Sequence, residues 1–562
     1  MHDPISTAKQ QVRKLVLAAF DEAKLEGALP DFPMPDFAVD LPAETSHGDF
    51  AVNAALVSAK PFSMSPRDIA QALFERIKLA DSLFSKAEIA GPGFLNFFTD
   101  SRFCSDVVLQ ILREKDGYGR TDTLHGEKIM VEFVSANPTG PMHLGNARGG
   151  ALGDCLASVL ETAGARVTRE FYVNDAGNQI EKFACSLEAR YLQLYKDDIP
   201  FPEDGYQGED ITRRAEEFAE INGDSYLSAA PQARRDALVA YALPANIEQL
   251  RHDLETYRIH YDVWFRESSL YESGLVNKVL GILKDKGATY ENDGAIWYKA
   301  TDYGAEKDEV LVRSNGIPTY FAADIAYHYD KFAVRGFERV INVWGADHHG
   351  HVSRLKGAMN AIGLDGSKLD VVLMQLVRLV RDGEPVRMSK RTGKAITLTD
   401  LLEEIPIDAA RFFFNLREPK SHFEFDLDLA VKESSDNPVY YVQYAHARIC
   451  SILKNLDAQG YETDNFDGCD LSLLCEPDEL ALIKHLAKLP FEITAAACEY
   501  DPARITRYTV ELAGMFHRFY TSCRVKDCEA DLCLARTALC RATKQVVANC
   551  LALLKINAPE SM

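Results

Sequence analysis

This chain of 562 residues lacks several signatures that would narrow its function quickly. No apolar run approaches the roughly 18 residues that a membrane-spanning helix requires, and the longest one near the N-terminus stops at Asp21. Val12, Val16, Ala19 and Phe20 instead mark one face of an amphipathic helix. The twelve cysteines contain no CxxC pair, and those after residue 520 are too widely spaced for a zinc knuckle. We therefore expect no membrane partner, no bound metal in the protein itself, and reduced thiols in a cytoplasmic protein.

The two common nucleotide-binding fingerprints are also missing. Gly140 and Gly145 have the glycine spacing of a P-loop, but Asn146 and Ala147 stand where lysine and serine or threonine are required. No GxGxxG follows the first buried strand. No Ser–His or Cys–His constellation is apparent, so a covalent intermediate on the protein is not expected.

Net positive charge is absent as well, because the formal charge is −22. This does not exclude a nucleic-acid partner, since backbone binding depends on local patches. In the last 62 residues Lys and Arg outnumber Asp and Glu by nine to six, and arginines such as Arg518 and Arg524 alternate with aromatic residues. That pattern suits RNA, although composition alone favours a packed aromatic core with a solvated arginine face.

The order of elements predicts an α/β protein with a doubly wound, Rossmann-like parallel sheet. Residues 1 to about 118 mix helices with short strands, which predicts an α+β N-terminal domain. The stretch 128–134 reads as a buried strand, 145–163 as a helix that ends at Gly164, and 167–173 as the next strand. These three elements form a βαβ unit, so the sheet is expected to be parallel.

Strand patterns return at 339–344 and 371–374. Between about residues 190 and 310, charged helical sequence interrupts them, and we interpret this interval as an inserted subdomain. Beyond about residue 406 no strand is predicted, and apolar residues at helical spacing, over 477–489 and 505–519, indicate an all-α bundle. The predicted domains are therefore 1–118, 119–405 and 406–562.

Two short segments far apart in the chain carry the chemistry. The first, 138–146 (PTGPMHLGN), follows a strand and opens a helix, whose free N–H groups and positive dipole end can receive phosphate. The second, 387–394 (RMSKRTGK), is a basic loop that could close over the same phosphates. Taken singly, His143 is more often structural and a short Met-Ser-Lys match arises by chance, but the two occur here in the right order on a split sheet.

At this point the sequence resembles the class I aminoacyl-tRNA synthetases and, within them, the arginyl-tRNA synthetase family. The resemblance rests on 131–146, on 171–179 (FYVNDAGNQ), on 344–348 (WGADH), on the basic loop and on 437–448 (NPVYYVQYAHAR). It extends to 47–51 near the N-terminus and 519–525 near the C-terminus. Asn146 replaces the last histidine of the family's HIGH element, and Arg387 replaces the first lysine of KMSK.

The resemblance implies a reaction and its partners. Arginine's carboxylate attacks the α-phosphate of ATP, which carries Mg²⁺, and arginyl-adenylate then transfers its acyl group to the 3′ end of tRNA(Arg). Positioned hydrogen-bond donors and a mobile cation suit the charge that builds up in this reaction. The N-terminal and C-terminal domains are expected to bind tRNA, and a monomer is expected.

The resemblance also implies site residues. The amino-acid site has two acidic members, as a cationic substrate requires, although without the resemblance Glu132 could be a strand-end charge and Asp324 a helix cap. The implied residues are, for catalysis, His143, Asn146 and Lys390; for ATP, Gly140, His143, Gly145, Asn146, Gly345, Asp347, His348, Met388, Ser389 and Lys390; for arginine, Glu132, Asn137, Tyr320 and Asp324; and for tRNA, Tyr444, Arg448 and Arg524.

Other interpretations stay open from the residues alone. A class I synthetase for another amino acid, a small-molecule nucleotidyltransferase, or a non-catalytic RNA-binding relative would share parts of this pattern. The segment 347–351 (DHHGH) also invites a metal site, but no second ligand cluster accompanies it.

Overall fold

The computed structural model describes residues 3–42, 44–386 and 396–562. The basic loop, including Met388, Ser389 and Lys390, therefore lies outside the described residues, and its predicted approach to His143 stays a prediction. Among the described residues, no helix is both long and apolar enough to cross a membrane.

The N-terminal part packs helices on one antiparallel sheet of order β1-β2-β4-β3. The predicted apolar face of its first helix is confirmed, because Val12, Val16, Ala19 and Phe20 are all buried. The elements are α1 (Pro4–Leu25), β1 (Val39–Asp40), β2 (Phe50–Val52), α2 (Ala54–Phe62), α3 (Pro66–Phe74), β3 (Phe84–Ala90), β4 (Phe94–Thr99) and α4 (Ser101–Glu114).

The centre of the molecule is the predicted doubly wound sheet. Five parallel strands stand in the order β12-β11-β5-β6-β7, so the strand order reverses between β11 and β5. Ligands bind at such a reversal, beyond the carboxyl ends of the strands. The strands and the first crossover helix are β5 (Lys128–Glu132), α5 (Leu144–Thr162), β6 (Arg166–Val173), β7 (Val263–Arg266), β11 (Arg339–Gly345) and β12 (Leu369–Met374).

Helix α5 lies unusually close to the sheet because glycines face it. A Cβ atom at Gly153 would stand 2.3 Å from the Phe133 ring, and one at Gly150 would stand 2.7 Å from Ile259. The helix ends as predicted at Gly164, whose φ of +99° is a conformation that glycine adopts without strain. This close packing fixes where the helix N-terminus stands above the sheet edge.

The interval from about 190 to 310 is less purely helical than predicted. Helices α6 (Asn178–Gln193), α7 (Glu209–Asn222) and α8 (Pro231–Thr256) form a helical insertion with its own apolar core. The expectation that strands return only at residue 339 is wrong, because β7 completes the central sheet as its edge strand. A strand of four residues that ends with Arg266 and is followed by Glu267 gives too short an apolar pattern to stand out.

A second set of elements follows β7. A separate antiparallel sheet has the order β10-β9-β8, and a helix then leads back to the central sheet. The elements are α9 (Ser268–Glu272), α10 (Leu275–Asp285), β8 (Thr289–Asn292), β9 (Ala295–Tyr298), β10 (Glu309–Val312), α11 (Tyr320–Tyr329) and α12 (His349–Ile362). A π-helical turn, Asp330–Val334, extends α11.

The prediction that no strand lies beyond about residue 406 is wrong. Strand β15 (Phe423–Asp426) pairs in parallel with β13 (Val377–Arg381), which also pairs with β14 (Glu384–Val386). Its pairing partner lies more than forty residues earlier in the chain, so local sequence gave no sign of it. Two helices, α13 (Leu398–Glu404) and α14 (Ile407–Phe414), precede it, and α15 (Leu427–Ala430) follows it.

The rest of the chain is the predicted helical bundle. The helix predicted over 477–489 divides into two, because the first ends at Leu486 and the next begins at Leu489. The bundle consists of α16 (Pro438–Asp457), α17 (Pro477–Leu486), α18 (Leu489–Glu499), α19 (Ala503–Ser522) and α20 (Ala530–Leu553). Its apolar residues continue into the core of the central sheet and the N-terminal part.

Candidate active site

The candidate site lies at the carboxyl ends of β5 and β11. Directly after β5, Val134 and Ser135 take positive φ angles of 67° and 44°, which turn the chain away from the sheet sooner than the predicted strand end at 134. Such left-handed conformations cost energy for residues with side chains, and they concentrate at functional sites. The segment 136–142 then leads to the start of α5.

His143 is the N-cap of α5. Its Nδ1 accepts a hydrogen bond from Gly145 N at 3.2 Å, and its own N–H donates to Asn146 Oδ1 at 3.0 Å. Asn146 thus closes a capping box with its oxygen, and its NH₂ group is the part that could donate to a ligand. Burial lowers the pKa of His143, so the ring is neutral at pH 7 and acts as a hydrogen-bonding group.

A cavity of about 840 Å³, the turn cavity, opens beside this N-terminus. His143, Leu144 and Gly145 form one wall, and residues 375–379 and 422–424 form the other. Val386 and Ile396, the described residues on either side of the basic loop, also line it. The described chain on both sides of the basic loop therefore reaches the cavity beside the α5 N-terminus.

A second cavity of about 490 Å³, the acidic cavity, lies on the other side of the β5 turn. It brings together five of the predicted residues, namely Glu132, Asp324, Gly345, Asp347 and His348. Tyr172, Trp344, His351 and Arg354 complete much of its wall. Among the described residues that line it, the predicted Asn137 and Tyr320 do not appear; Tyr320 lies one helical turn before Asp324 and covers Gly177.

Glu132 has a buried partner that the sequence did not reveal. Its carboxylate lies 2.5 Å from Lys331 Nζ, and both side chains are almost fully excluded from solvent. Lys331 also donates to Asn342 Oδ1, and Asn342 contacts His328, whose pKa is held well below its usual range by burial and by Lys331. Glu132 therefore offers hydrogen-bond acceptors to the cavity while Lys331 compensates its charge.

Asp324 faces the cavity from α11. Its Oδ2 lies 3.0 Å from His351 Nε2, and the His351 ring packs against Trp344 and Phe321. The DHHGH segment thus supports Asp324 through one of its histidines. Across residues 3–42, 44–386 and 396–562, no group of three or more His, Cys, Asp or Glu side chains is arranged to hold a metal ion.

Glu267 is a functional candidate that the sequence analysis missed. It is almost fully buried directly after β7, and its Oε1 has no hydrogen-bond partner among the described residues. Burial, together with the nearby Asp324, raises its pKa to about 7, although hydrogen bonding from Tyr172 opposes the rise. The missed signal was its position, since a carboxylate at the end of a parallel strand points to the ligand edge of the sheet.

A third cavity, the aromatic cavity, lies in the helical bundle. It has a volume of about 390 Å³ and is lined by Ser435, Tyr440, Tyr441, Tyr444, Arg448 and His517. Two of the three predicted tRNA-binding residues, Tyr444 and Arg448, meet here, and the Arg448 guanidinium lies 4.6 Å from the Tyr520 ring centre. Arg524 is exposed elsewhere in the bundle.

Three family descriptions match the chain in sequence order. Residues 10–99 match the arginyl tRNA synthetase N terminal domain, and 107–434 match the catalytic domain of tRNA synthetases class I (R). Residues 442–562 match the DALR anticodon binding domain.

Known proteins agree with these matches. An arginine–tRNA ligase of Caldanaerobacter subterraneus is 56% identical, and one of Acetivibrio thermocellus is 53% identical, each over 100% of both chains. A crystal structure described as a putative arginyl-tRNA synthetase from Campylobacter jejuni has a TM-score of 0.75 and 33% identity, and covers 82% of this chain and 100% of its own. The Thermus thermophilus arginyl-tRNA synthetase, at 23% identity, shares the fold with a TM-score of 0.75 over 99% of this chain and 100% of its own.

Proposed function

This chain belongs to the arginyl-tRNA synthetase family, and on that premise we propose that the acidic cavity and the turn cavity hold arginine and ATP side by side. The protein is a ligase that activates arginine with ATP to arginyl-adenylate and transfers it to the 3′ end of tRNA(Arg). The observation that carries the site assignment is the proximity of two carboxylates: Asp324 lines the acidic cavity from α11, and Glu267 lies near it directly after β7.

The phosphates belong at the N-terminus of α5. The arginine carboxylate forms a bond to the α-phosphorus of ATP while the bond to the pyrophosphate leaving group breaks, and negative charge grows on both. His143, the Asn146 amide and the positive dipole end of the helix are fixed in place before the reaction. Gly140 and Gly145 give the backbone its close approach, and Lys390, with Met388 and Ser389, supplies the cation.

The guanidinium belongs in the acidic cavity. A planar cation with five N–H donors is best held by carboxylates, and Asp324 and Glu267 supply two. Glu132 adds acceptors without net charge because Lys331 is already paired with it. Asn137 and Tyr320 contact the amino acid at the cavity entrance, and Gly345, Asp347 and His348 contact the nucleotide.

Mg²⁺ enters with ATP. This ion prefers oxygen ligands and usually binds through one or two carboxylates and the substrate's phosphates, keeping several waters. It neutralises charge on the phosphates, and the Asp347 carboxylate, which is largely exposed at the cavity rim, suits an ion of this kind.

The regions outside the central sheet bind tRNA. Residues 1–118 form an additional tRNA-binding domain, 119–405 the catalytic domain with its insertion, and 406–562 the anticodon-binding domain. In the aromatic cavity, the Tyr444 ring stacks on an unpaired base and the Arg448 guanidinium contacts the same base. Arg524 contacts the RNA backbone. The enzyme acts as a cytoplasmic monomer, and gel filtration combined with light scattering tests that state.

An exchange assay tests the proposal. Incorporation of labelled pyrophosphate into ATP is measured for each amino acid, with and without total tRNA. Of the amino acids tested, only arginine should support pyrophosphate exchange. The same preparation should charge tRNA with labelled arginine. Exchange with a different amino acid would assign the acidic cavity to another substrate, and charging without dependence on ATP would exclude the adenylate.

A further inference from the structure

Helix α8 connects two separate apolar cores. In its first half, Leu238 and Ala242 belong to the core of the helical insertion, whereas Leu250 and Leu254 in its second half belong to the main core. Pro244 stands between the two halves, inside the helix. A proline there removes one helical hydrogen bond and weakens the helix locally, so this point is a joint between the two bodies.

Asn246 lies immediately after this joint and is bonded on both sides. Its Nδ2 donates to the Pro138 carbonyl oxygen at 3.0 Å, and its Oδ1 accepts from Arg214 Nε at 2.9 Å. Arg214 lies on α7 in the insertion, and Glu217 holds its other nitrogen at 2.8 Å. The side chain of Asn246 is only 7% exposed, so both bonds form away from water.

Pro138 begins the segment that presents His143. The same segment is held at its other end, where Leu398 N donates to the Met142 carbonyl oxygen at 2.8 Å. A second carboxylate of the insertion also reaches this region, since Asp210 Oδ2 would stand 3.7 Å from a Cβ atom at Gly140. The insertion thus forms one wall of the turn that leads to the phosphates.

We infer that Asn246 is a positioning residue for adenylate formation, which fixes the 138–143 turn to the helical insertion through the Arg214–Asn246–Pro138 chain of hydrogen bonds. This inference rests on the proposed function for its kinetic consequences. Because Asn246 contacts the backbone of the turn and not the substrates, it acts on how His143 and the helix N–H groups are placed. A displacement of about 1 Å at such a site can reduce a rate 100-fold.

Replacement of Asn246 by aspartate separates this role from packing. The aspartate has the same shape and still accepts from Arg214, but it cannot donate to Pro138 and instead places two oxygens against each other. We expect the kcat of arginine-dependent pyrophosphate exchange to fall roughly 10- to 100-fold, while the KM for arginine stays within about twofold. Asn222→Asp is the matched control, because the side-chain amide of this asparagine in the same insertion donates within α7, to the Phe218 carbonyl oxygen.

Hydrogen exchange gives a second measurement that does not depend on activity. Amides of residues 139–146 should exchange roughly fivefold faster or more in Asn246→Asp than in the wild type and in Asn222→Asp. Unchanged exchange in this segment would overturn the inference even if wild-type activity confirms the proposed function. Conversely, faster hydrogen exchange in Asn246→Asp, found together with a wild-type protein that does not activate arginine, would reject the function and keep the positioning role.

A double-mutant cycle tests the chain of bonds and protects against a poorly folded variant. Arg214→Ala should lower kcat on its own, but in an Asn246→Ala background it should add little, because the residue it orients is gone. If the fold-loss in kcat of the double variant equalled the product of the two single-variant losses, the two residues would act separately, which contradicts the proposed connection. A loss in kcat matched by an equal loss in tRNA affinity would also overturn it.

Discussion

The acidic cavity and the aromatic cavity recognise their ligands by opposite means. In and beside the first, Glu132 and Glu267 are buried. Lys331 balances the charge of Glu132, whereas Oε1 of Glu267 has no hydrogen-bond partner among the described residues. In the second, Tyr444 keeps 41% of its surface exposed beside Arg448 and neighbouring rings. Buried charge discriminates steeply because an unmatched ligand leaves it unpaired, whereas stacking tolerates many partners.

The largest effect on the difference between the two cavities is expected when the charge balance of the acidic cavity is removed. Lys331→Met should leave Glu132 buried without its partner and lower the free energy of unfolding by about 3–5 kcal/mol. Adding Glu132→Gln should recover part of this loss, because the carboxylate is then neutral. The three tryptophans lie at 264, 297 and 344, so denaturation followed by their fluorescence reports on this region.

The exposed Lys278, which lies over the Tyr329 ring, provides the control. Lys278→Met should change stability by less than about 1 kcal/mol. Equal losses in both lysine variants would show that the buried pair has no special importance.

Asp324→Asn should test whether the charge of the acidic cavity determines the specificity for arginine. Removing this half-buried carboxylate leaves the guanidinium without its charge-assisted bond, and kcat/KM for arginine should fall about 100- to 1000-fold. The KM for ATP should change little. Pyrophosphate exchange at varied arginine and varied ATP separates the two effects, with the exposed Asp285→Asn as control. Equal damage to both substrates would reject the assignment.

The pH dependence of arginine binding should reveal Glu267. With its pKa raised to about 7, this carboxyl is mostly neutral at pH 6 and mostly ionised at pH 8. Only the ionised form attracts a guanidinium, so arginine affinity should rise about tenfold over that interval. In Glu267→Gln the arginine affinity should be weaker and should change little between pH 6 and pH 8. Calorimetric titration with arginine measures this, and an identical profile in the variant would exclude Glu267 as its source.

The smallest effect is expected in the aromatic cavity. Tyr444→Leu keeps an apolar side chain but removes one ring, and the affinity for tRNA(Arg) should fall roughly fivefold while arginine activation is unaffected. Filter binding at fixed salt measures this, and Tyr290→Leu in the small antiparallel sheet serves as control. A loss of adenylate formation instead would mean that the two cavities are not independent.

Much of the fold was predictable because its patterns are local. The βαβ unit, the glycine that ends α5 and the apolar face of α1 each follow from a few adjacent residues, and the structure confirms them. The short strands β7 and β15 were not predictable in this way, because pairing with distant strands defines them.

In the candidate site too, some residues could be predicted from local sequence and others could not. His143 and Asn146 were visible because they cap a helix, and Asp324 because it matched a family position. Glu267 was missed with β7, which it follows. Lys331 was missed because a lysine after Tyr329 and Asp330 suggests a surface, whereas the π-helical turn directs it inward. The basic loop and Lys390 lie outside the described residues, so their part stays a prediction.

The contact between Gly153 and Phe133 places a limit on how this protein can evolve. The first position has no side chain so that the second can keep a ring, and a single added methyl group would force the rod of α5 outward. Its leading end, about 14 Å away at a rise of 1.5 Å per residue, would move with it. Because the Phe133 Cβ atom itself would lie 2.5 Å from the added atom, a smaller side chain at 133 would not relieve the contact unless that residue were also glycine.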